Sequence, residues 1–444
     1  MATITNIEDI DIYLLYYLDL DSVISILSVS KKQYAIMIEQ DFIKQLLILK
    51  KKHKTDLSNI IAYAAKYNYL ELIKWVSESI NKLHFSNRCI YYASANGYVS
   101  VLKLFENIGL EIKCDYDIIN VACKNGHLHI LEWFYQSKYD FVFDKVSISE
   151  AICNGHIHIL DWFAKICSDD SAYQFTYKSY AIGVAVKKGY LKILQWLDES
   201  IYEFKYTQNI IKMAASKGNV EIIDWFSKSK YDFSYENAID SASLKGHINI
   251  LEWFKNSPYK FDYSTNAIDY ASYFGHVHVL EWFKNSGYEF LYTNVAINNA
   301  TIGGHLDILQ WFKNSGYNLS YGTSIIKLAA CYGYVHILEW YKNSGYEFIY
   351  TSDIIDGAAS KGHVSVLEWF KNSGYEFLYT RNAINHAAKN NHINVLEWFK
   401  NSPYKFIYSK RFINNLPKKS ILVWFKNYKK QTTVKTTYYL PYQF

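Results

Sequence analysis

A nine-residue pattern that returns along almost the whole chain is the feature that most constrains its fold. The clearest copy, Gly-His-Val-His-Val-Leu-Glu-Trp-Phe, occupies residues 275–283. All 12 tryptophans stand at the same place in a copy of this pattern, and most follow the previous one by 29 residues. They are Trp75, Trp133, Trp162, Trp196, Trp225, Trp253, Trp282, Trp311, Trp340, Trp369, Trp398 and Trp424. A fixed period of this size is typical of a stacked array of small units.

Each repeat is predicted to contain two helices, and Leu104 fills the one slot without tryptophan, which gives about 13 repeats. Ile268 and Ala271 lie three residues apart and therefore share one face of a first helix. Gly275 ends that helix, because glycine tolerates the left-handed conformation that such a stop requires. The following Val-Leu-Glu-Trp-Phe carries the apolar stripe of a second helix. In two repeats, Asn68 and Asn391 replace the glycine.

These repeats resemble ankyrin repeats. Ala300, Gly304-His305 and Ile308-Leu309 stand where ankyrin repeats have Ala, Gly-His and Val-Val. The resemblance implies an all-α, ankyrin-type helical repeat solenoid. Its period is about four residues shorter than the ~33 of ankyrins, so we expect shortened β-hairpins. The recurring sequence Leu-Glu-Trp-Phe-Lys-Asn-Ser-Gly-Tyr is similar to the repeats of ankyrin arrays from giant DNA viruses of the mimivirus type.

A protein-binding stripe is predicted at the two positions after the recurring isoleucine, because these positions vary from repeat to repeat. An ankyrin-type stack would turn them toward its concave side. The predicted contact residues are Lys212, Met213, Asp240, Asp269, Tyr270, Asn298, Asn299, Lys327, Asp356, Asn385 and His386. The alternative interpretation is a solvated face on which residues vary freely.

Residues 1–57 lie outside the array and are predicted to form a small helical cap. The segment 17–31 resembles the core of an F-box, although the Leu-Pro pair that opens that motif is missing. That resemblance implies contacts with a Skp1-like adaptor through Leu14, Leu18, Leu20, Val23, Ile26 and Val29. A cap that only covers the first repeat remains the alternative. The array is expected over residues 58–427 and a C-terminal tail over 428–444.

Metal binding and catalysis are not expected. The six cysteines are not closely spaced, unlike those of disulfide frameworks or zinc modules. Gly-His-x-His occurs at 126–129, 155–158 and 275–278, but histidines two residues apart on a helix point in different directions. No phosphate-binding loop, nucleophile elbow or carboxylate pair interrupts the repeats. We therefore expect neither a cofactor nor an enzyme.

Charge and hydropathy bound the partners. A net charge of +5 is small for 444 residues, and acidic residues are scattered through the array, so no nucleic-acid partner is expected. No long apolar run indicates a membrane span, and no secretory signal is visible. The sequence thus favours an intracellular, cytoplasmic and monomeric protein.

The sequence therefore predicts a protein–protein interaction scaffold. If the F-box resemblance holds, the scaffold would select substrates for a Skp1–cullin ubiquitin ligase. The alternative is a structural or interaction protein with no link to ubiquitin.

Overall fold

A computed structural model describes residues 57–79, 86–317, 323–416 and 419–437. These residues form 26 α-helices and contain no strand. They fall into two compact units, the first ending at Tyr177 and the second beginning at Lys178. The six predicted adaptor contacts, from Leu14 to Val29, lie outside the described residues. In the described part, no helix is both long and apolar enough to span a membrane.

Helices alternate between first and second members of a pair, so odd numbers mark the first helices. The first unit contains α1 (Leu57–Lys66), α2 (Leu70–Ser79), α3 (Asn87–Ala95), α4 (Val99–Asn107), α5 (Tyr116–Asn125), α6 (Leu128–Gln136), α7 (Lys145–Asn154) and α8 (Ile157–Asp169).

The second unit begins with α9 (Tyr180–Lys188), α10 (Leu191–Glu199), α11 (Ile210–Ala215), α12 (Val220–Ser227), α13 (Ala238–Lys245), α14 (Ile248–Asn256), α15 (Asn266–Tyr273), α16 (Val277–Asn285), α17 (Asn294–Gly303) and α18 (Leu306–Ser315). It continues with α19 (Thr323–Tyr332), α20 (Val335–Asn343), α21 (Ser352–Ser360), α22 (Val364–Asn372), α23 (Arg381–Lys389), α24 (Ile393–Asn401), α25 (Lys410–Asn414) and α26 (Lys419–Thr437). Helix α26 crosses the expected start of the tail at residue 428.

The predicted stop of the first helix is confirmed by the backbone. Gly275 has φ of 75°, and the other glycines at this place have φ between 72° and 86°. Asn68 and Asn391 adopt φ of 60° and 66°, so asparagine replaces glycine in the same left-handed conformation. Several first helices also begin with a side-chain cap, such as the Thr293 hydroxyl, which accepts the N–H of Val295.

Packing follows the predicted apolar pattern. Ile268, Ala271, Val279, Leu280 and Phe283 are all fully buried. Within each unit a first helix packs against the next first helix and against its own second helix. The alanine allows this close approach because its side chain is small. Neither helix of a pair can bury its apolar face alone, so the fold depends on stacking.

Tryptophans of several later repeats occupy matching environments. There a phenylalanine of the preceding connector stacks on the tryptophan and on the tyrosine that follows the second helix. Phe290 lies 5.5 Å from Trp311 and 4.4 Å from Tyr317, measured between ring centroids. The equivalent distances from Phe377 are 5.5 Å to Trp398 and 3.9 Å to Tyr404. The aromatic connectors therefore join neighbouring repeats without forming strands in the described residues.

Candidate binding surface

In several repeats the residue after the first-helix isoleucine binds the start of the next first helix. In α15, the Asp269 carboxylate accepts the Thr293 N–H at 3.1 Å and the Thr293 hydroxyl at 2.8 Å. Asp240 accepts the same two groups from Ser264, and Asp356 accepts them from Thr380. Since Thr293 itself caps α17, each such carboxylate fixes the start of the next first helix.

Other residues at this position also contact the next first helix, through an amide or a lysine in place of a carboxylate. Asn385 accepts the N–H of Ser409 at 2.9 Å. Asn298 accepts the hydroxyl of Ser324 at 3.1 Å, and Lys327 forms a 2.6 Å ion pair with Asp353. In these repeats, different residues at this position therefore make different links to the next repeat.

This finding changes the interpretation of the predicted binding stripe. Asp240, Asp269, Asp356 and Asn385 are at least nine-tenths buried and already hydrogen-bonded. Reversing the charge of the three aspartates would break these hydrogen bonds between repeats. Such variants could therefore not show whether the aspartates contact a partner. A repeated pairing of Asp with Ser or Thr 24 residues later was the signal available in the sequence.

The other predicted stripe residues differ in exposure. Lys212, Tyr270, Lys327 and His386 are exposed, whereas Met213, Asn298 and Asn299 are half-buried. The Met213 methyl group lies over Gly183 of the preceding first helix. Asn299 donates to the backbone carbonyl of Asp269 at 2.9 Å. Contact of this stripe with a protein stays a prediction.

Histidines of the Gly-His-x-His pattern face backbone carbonyls of the preceding repeat. The first histidine reaches the end of the preceding first helix, with Nε2 of His127 at 3.1 Å from the Ala95 oxygen and Nε2 of His156 at 3.0 Å from the Lys124 oxygen. The second reaches the preceding stop residue: Nε2 of His129 lies 2.7 Å from the Gly97 oxygen. These contacts supply partners for carbonyls that a helix end leaves unsatisfied.

Partial burial lowers the proton affinity of several histidines that directly follow a stop residue. Loss of solvent contact lowers the pKa of His127, His247 and His276 below the ordinary value. The structure brings together no group of three or more His, Cys, Asp or Glu side chains that suits a metal ion, as far as the chain is described.

The glutamate before the tryptophan also links repeats. The indole Nε1 of Trp311 donates to Glu281 at 2.5 Å, and that of Trp369 donates to Glu339 at 2.7 Å. These indole bonds lower the pKa of both glutamates. Many acidic side chains of the array are thus engaged between repeats, either at the second helices or at the first-helix aspartates.

Three positions of the first helices in the second unit carry no acidic residue. On the eight first helices from α9 to α23, the positions five, two and one residues before the stop residue contain neither Asp nor Glu. We call these positions the lysine–aromatic face. Its lysines, all exposed, are Lys187, Lys188, Lys217, Lys245, Lys361 and Lys389. Its exposed aromatic residues are Tyr270, Tyr273, Phe274 and Tyr332.

The aromatic part of this face is open to solvent. Tyr270 and Phe274 are each 42% exposed, and Tyr332 is 46% exposed. The Lys245 ammonium group lies 5.0 Å from the Phe274 ring centroid, a cation–π arrangement. At the equivalent place on α17 stands Gly303, where a Cβ would meet the Tyr273 carbonyl oxygen at 2.4 Å. The row Lys217, Lys245, Phe274, Gly303, Tyr332, Lys361 therefore mixes cations and rings.

The sequence interpretation missed this face because it compared variability and not charge. The available signal was the complete lack of carboxylates at three repeat positions. Chemically, the face offers positive charge and flat apolar surface, which suit binding.

Comparisons with known proteins give matches among solved structures only. No family model matches the sequence, and no curated protein matches it. Among solved structures, it is similar to the pentatricopeptide repeat protein PPR10 in complex with an 18-nt psaJ RNA element, with 10% identity, a TM-score of 0.36, and coverage of 91% of this chain and 69% of that one. A cysteine-to-serine variant of that complex gives the same values. PPR10 from maize gives 11% identity, a TM-score of 0.29, and coverage of 88% and 67%.

The expectation of no nucleic-acid partner is contradicted by this comparison, because two of the matched structures are RNA complexes. Its physical basis fails as well. Scattered acidic residues were taken to exclude a basic surface, but Asp240, Asp269, Asp356, Glu281 and Glu339 bond to the next repeat. They leave the lysine–aromatic face free of negative charge. The structure shows an all-α helical-repeat scaffold over the residues that it describes.

Proposed function

We propose that this chain is a non-enzymatic recognition scaffold whose second unit binds an elongated macromolecule along the lysine–aromatic face. One observation carries the proposal: of eight successive first helices, seven present a lysine or an exposed ring at these positions, and none presents a carboxylate. A surface that only needed hydration would tolerate both signs of charge. Rows that continue across repeats suit an extended partner.

Site-directed photo-crosslinking tests this proposal. A photoreactive amino acid replaces Tyr270 in the full chain, and the matched control carries it at Ile349, which is 50% exposed and lies in a connector. Position 270 should yield a discrete adduct in a cell extract, and Lys217→Glu with Lys245→Glu should abolish it. The proposal fails if neither position yields an adduct or if both yield the same one.

A more specific proposal is that the macromolecule is a protein that contacts the predicted stripe. The F-box resemblance of residues 17–31 adds the proposal that the chain is an adaptor of a ubiquitin ligase. Affinity capture with residues 1–57 present and then deleted tests the extension. Loss of a Skp1-like protein on deletion would support it. Unchanged capture by the shortened chain would favour the alternative, an interaction scaffold with no link to ubiquitin.

We also propose that the protein works in a reducing compartment. All six cysteines are free thiols, as expected where disulfides do not persist. Burial raises the pKa of Cys89 to about 12 and that of Cys167 to about 11. These thiols should therefore react slowly with alkylating reagents near neutral pH.

A further inference from the structure

We infer that the macromolecule bound by the lysine–aromatic face is a single-stranded nucleic acid, an inference that rests on the proposed function. The juxtaposition that carries it is a row of lysines in or just after α9, α11, α13, α21 and α23, with exposed rings in or just after α15 and α19 between them. The lysines of that row suit the phosphates of such a strand, and the rings suit its bases.

The charge on this face matches a phosphate backbone. Lys187, Lys217, Lys245, Lys361 and Lys389 are exposed and form no ion pair with any described residue. Neighbouring packed helices lie roughly 8–10 Å apart, so cations at one repeat position recur at a regular spacing. A polymer with one negative charge per nucleotide can meet each of them in turn.

The rings favour a single strand over a duplex. Tyr270, Tyr273 and Phe274 are exposed on one helix, and the Tyr273 and Phe274 centroids are 4.9 Å apart. Unpaired bases can stack on such rings, whereas a duplex keeps its bases stacked inside. Lys245 beside Phe274 places a cation next to a stacking surface, which is how nonspecific single-strand binding surfaces combine the two contacts.

The helix dipole gives a competing reason for some of these lysines. It favours a cation in the last turn of any helix, which accounts for a lysine at one end of a first helix. It does not account for the exposed rings of α15, because these rings carry no charge. The rings also lie outside the core, so packing does not require them. It also does not explain why the mid-helix position, five residues before the stop, lacks carboxylates on all eight helices.

Binding measurements on the full chain test the inference. Fluorescence anisotropy follows a labelled single-stranded RNA of about 12 nucleotides, a length within the range that such surfaces cover. Parallel arms use the same sequence as DNA, an RNA duplex, and a polyglutamate peptide of equal charge. The face variants are Lys217→Glu with Lys245→Glu, and Tyr270→Ala with Phe274→Ala. Controls are Lys260→Glu with Lys284→Glu, which make the same charge change elsewhere, and Ile349→Ala.

Single strands should bind with a logarithmic salt slope of about −4 if all six lysines contact phosphates, and the double lysine reversal should reduce its magnitude by about 1.4 or more. The ring variant should weaken binding roughly 10-fold or more and leave the slope unchanged. Control variants should match the unmodified chain. Circular dichroism melts confirm that each variant is folded.

Three results would overturn the inference. The first is no binding of either single strand, and the second is equal binding by face and control variants. In the third, polyglutamate or duplex binds the face as tightly as a single strand. Preferred binding of polyglutamate would identify an acidic protein as the partner and keep the proposed function. If the chain with its lysines intact gave no specific crosslink at position 270, the proposed function itself would fail. The two failures are therefore distinguishable.

Discussion

The glycine that ends each first helix has two separate reasons to be glycine. Its φ is positive, as the sequence predicts, and its Cα also lies under a ring from the next repeat. A Cβ on Gly275 would meet Nδ1 of His305 at 2.6 Å, whereas a Cβ on Gly287, at the end of the second helix, would meet nothing within 4 Å. The two glycines have similar φ, 75° and 85°.

Gly275→Ala should therefore destabilise the protein more than Gly287→Ala. Both alanines incur the left-handed penalty of about 1–2 kcal/mol. Only Gly275→Ala must also displace the His305 ring, and overpacking of this kind costs roughly 1–3 kcal/mol. Thermal or urea unfolding of the two variants measures the difference. Adding His305→Ala should recover the overpacking part, and equal losses for both glycines would show that the ring moves away freely.

At the scale of the helix, the buried Asp269 connects two first helices that are consecutive in the stack. It accepts two hydrogen bonds from Thr293. Burial raises the pKa of Asp269, while the bonds from Thr293 oppose that rise. The link is therefore made by a carboxylate that loses hydration, and the hydrogen bonds from the next repeat offset part of that loss.

Asp269→Ala should lower the free energy of unfolding by about 1–3 kcal/mol, because it leaves the Thr293 N–H and hydroxyl without their acceptor. Asp269→Asn should cost less, since Asn385 already holds the N–H of Ser409 in this way. Denaturant unfolding measures both, and a double-mutant cycle with Thr293→Val isolates the coupling. Additive losses in that cycle would contradict the link.

At the scale of the whole molecule, half-buried histidines make stability depend on pH. Loss of solvent contact lowers the pKa of His127, His247 and His276. In the unfolded chain these groups titrate near about 6.5, so below that pH the unfolded state holds more protons than the folded state. The free energy of unfolding should therefore fall as pH drops below neutrality.

Melting temperatures at about pH 7.5 and about pH 5.5 should show this loss. Replacing His127, His247 and His276 by asparagine should flatten the dependence. Asparagine keeps the link, because Asn219 at the equivalent place donates to the Val186 carbonyl at 2.6 Å. The hydrogen bond from Trp311 lowers the pKa of Glu281, which moves its titration away from this window. A pH profile that the three substitutions leave unchanged would rule out the histidines as its cause.

Much of the helical architecture was readable from the sequence alone. The spacing of Ile268, Ala271, Val279 and Phe283 determines which helix faces are buried, and the glycine needs its conformation wherever the chain runs. These are local properties, since they depend on residues within a few positions of one another.

Only the tertiary structure decided which polar residues are available to a partner. Asp269 bonds 24 residues away, and His127 reaches a carbonyl 32 residues away, so neither use appears in a local pattern. Stacking engages these groups in hydrogen bonds between repeats, and it leaves the lysines and rings of the first helices exposed to solvent. A residue's freedom to bind is settled by what the neighbouring repeat places against it, and that is a property of the packed stack.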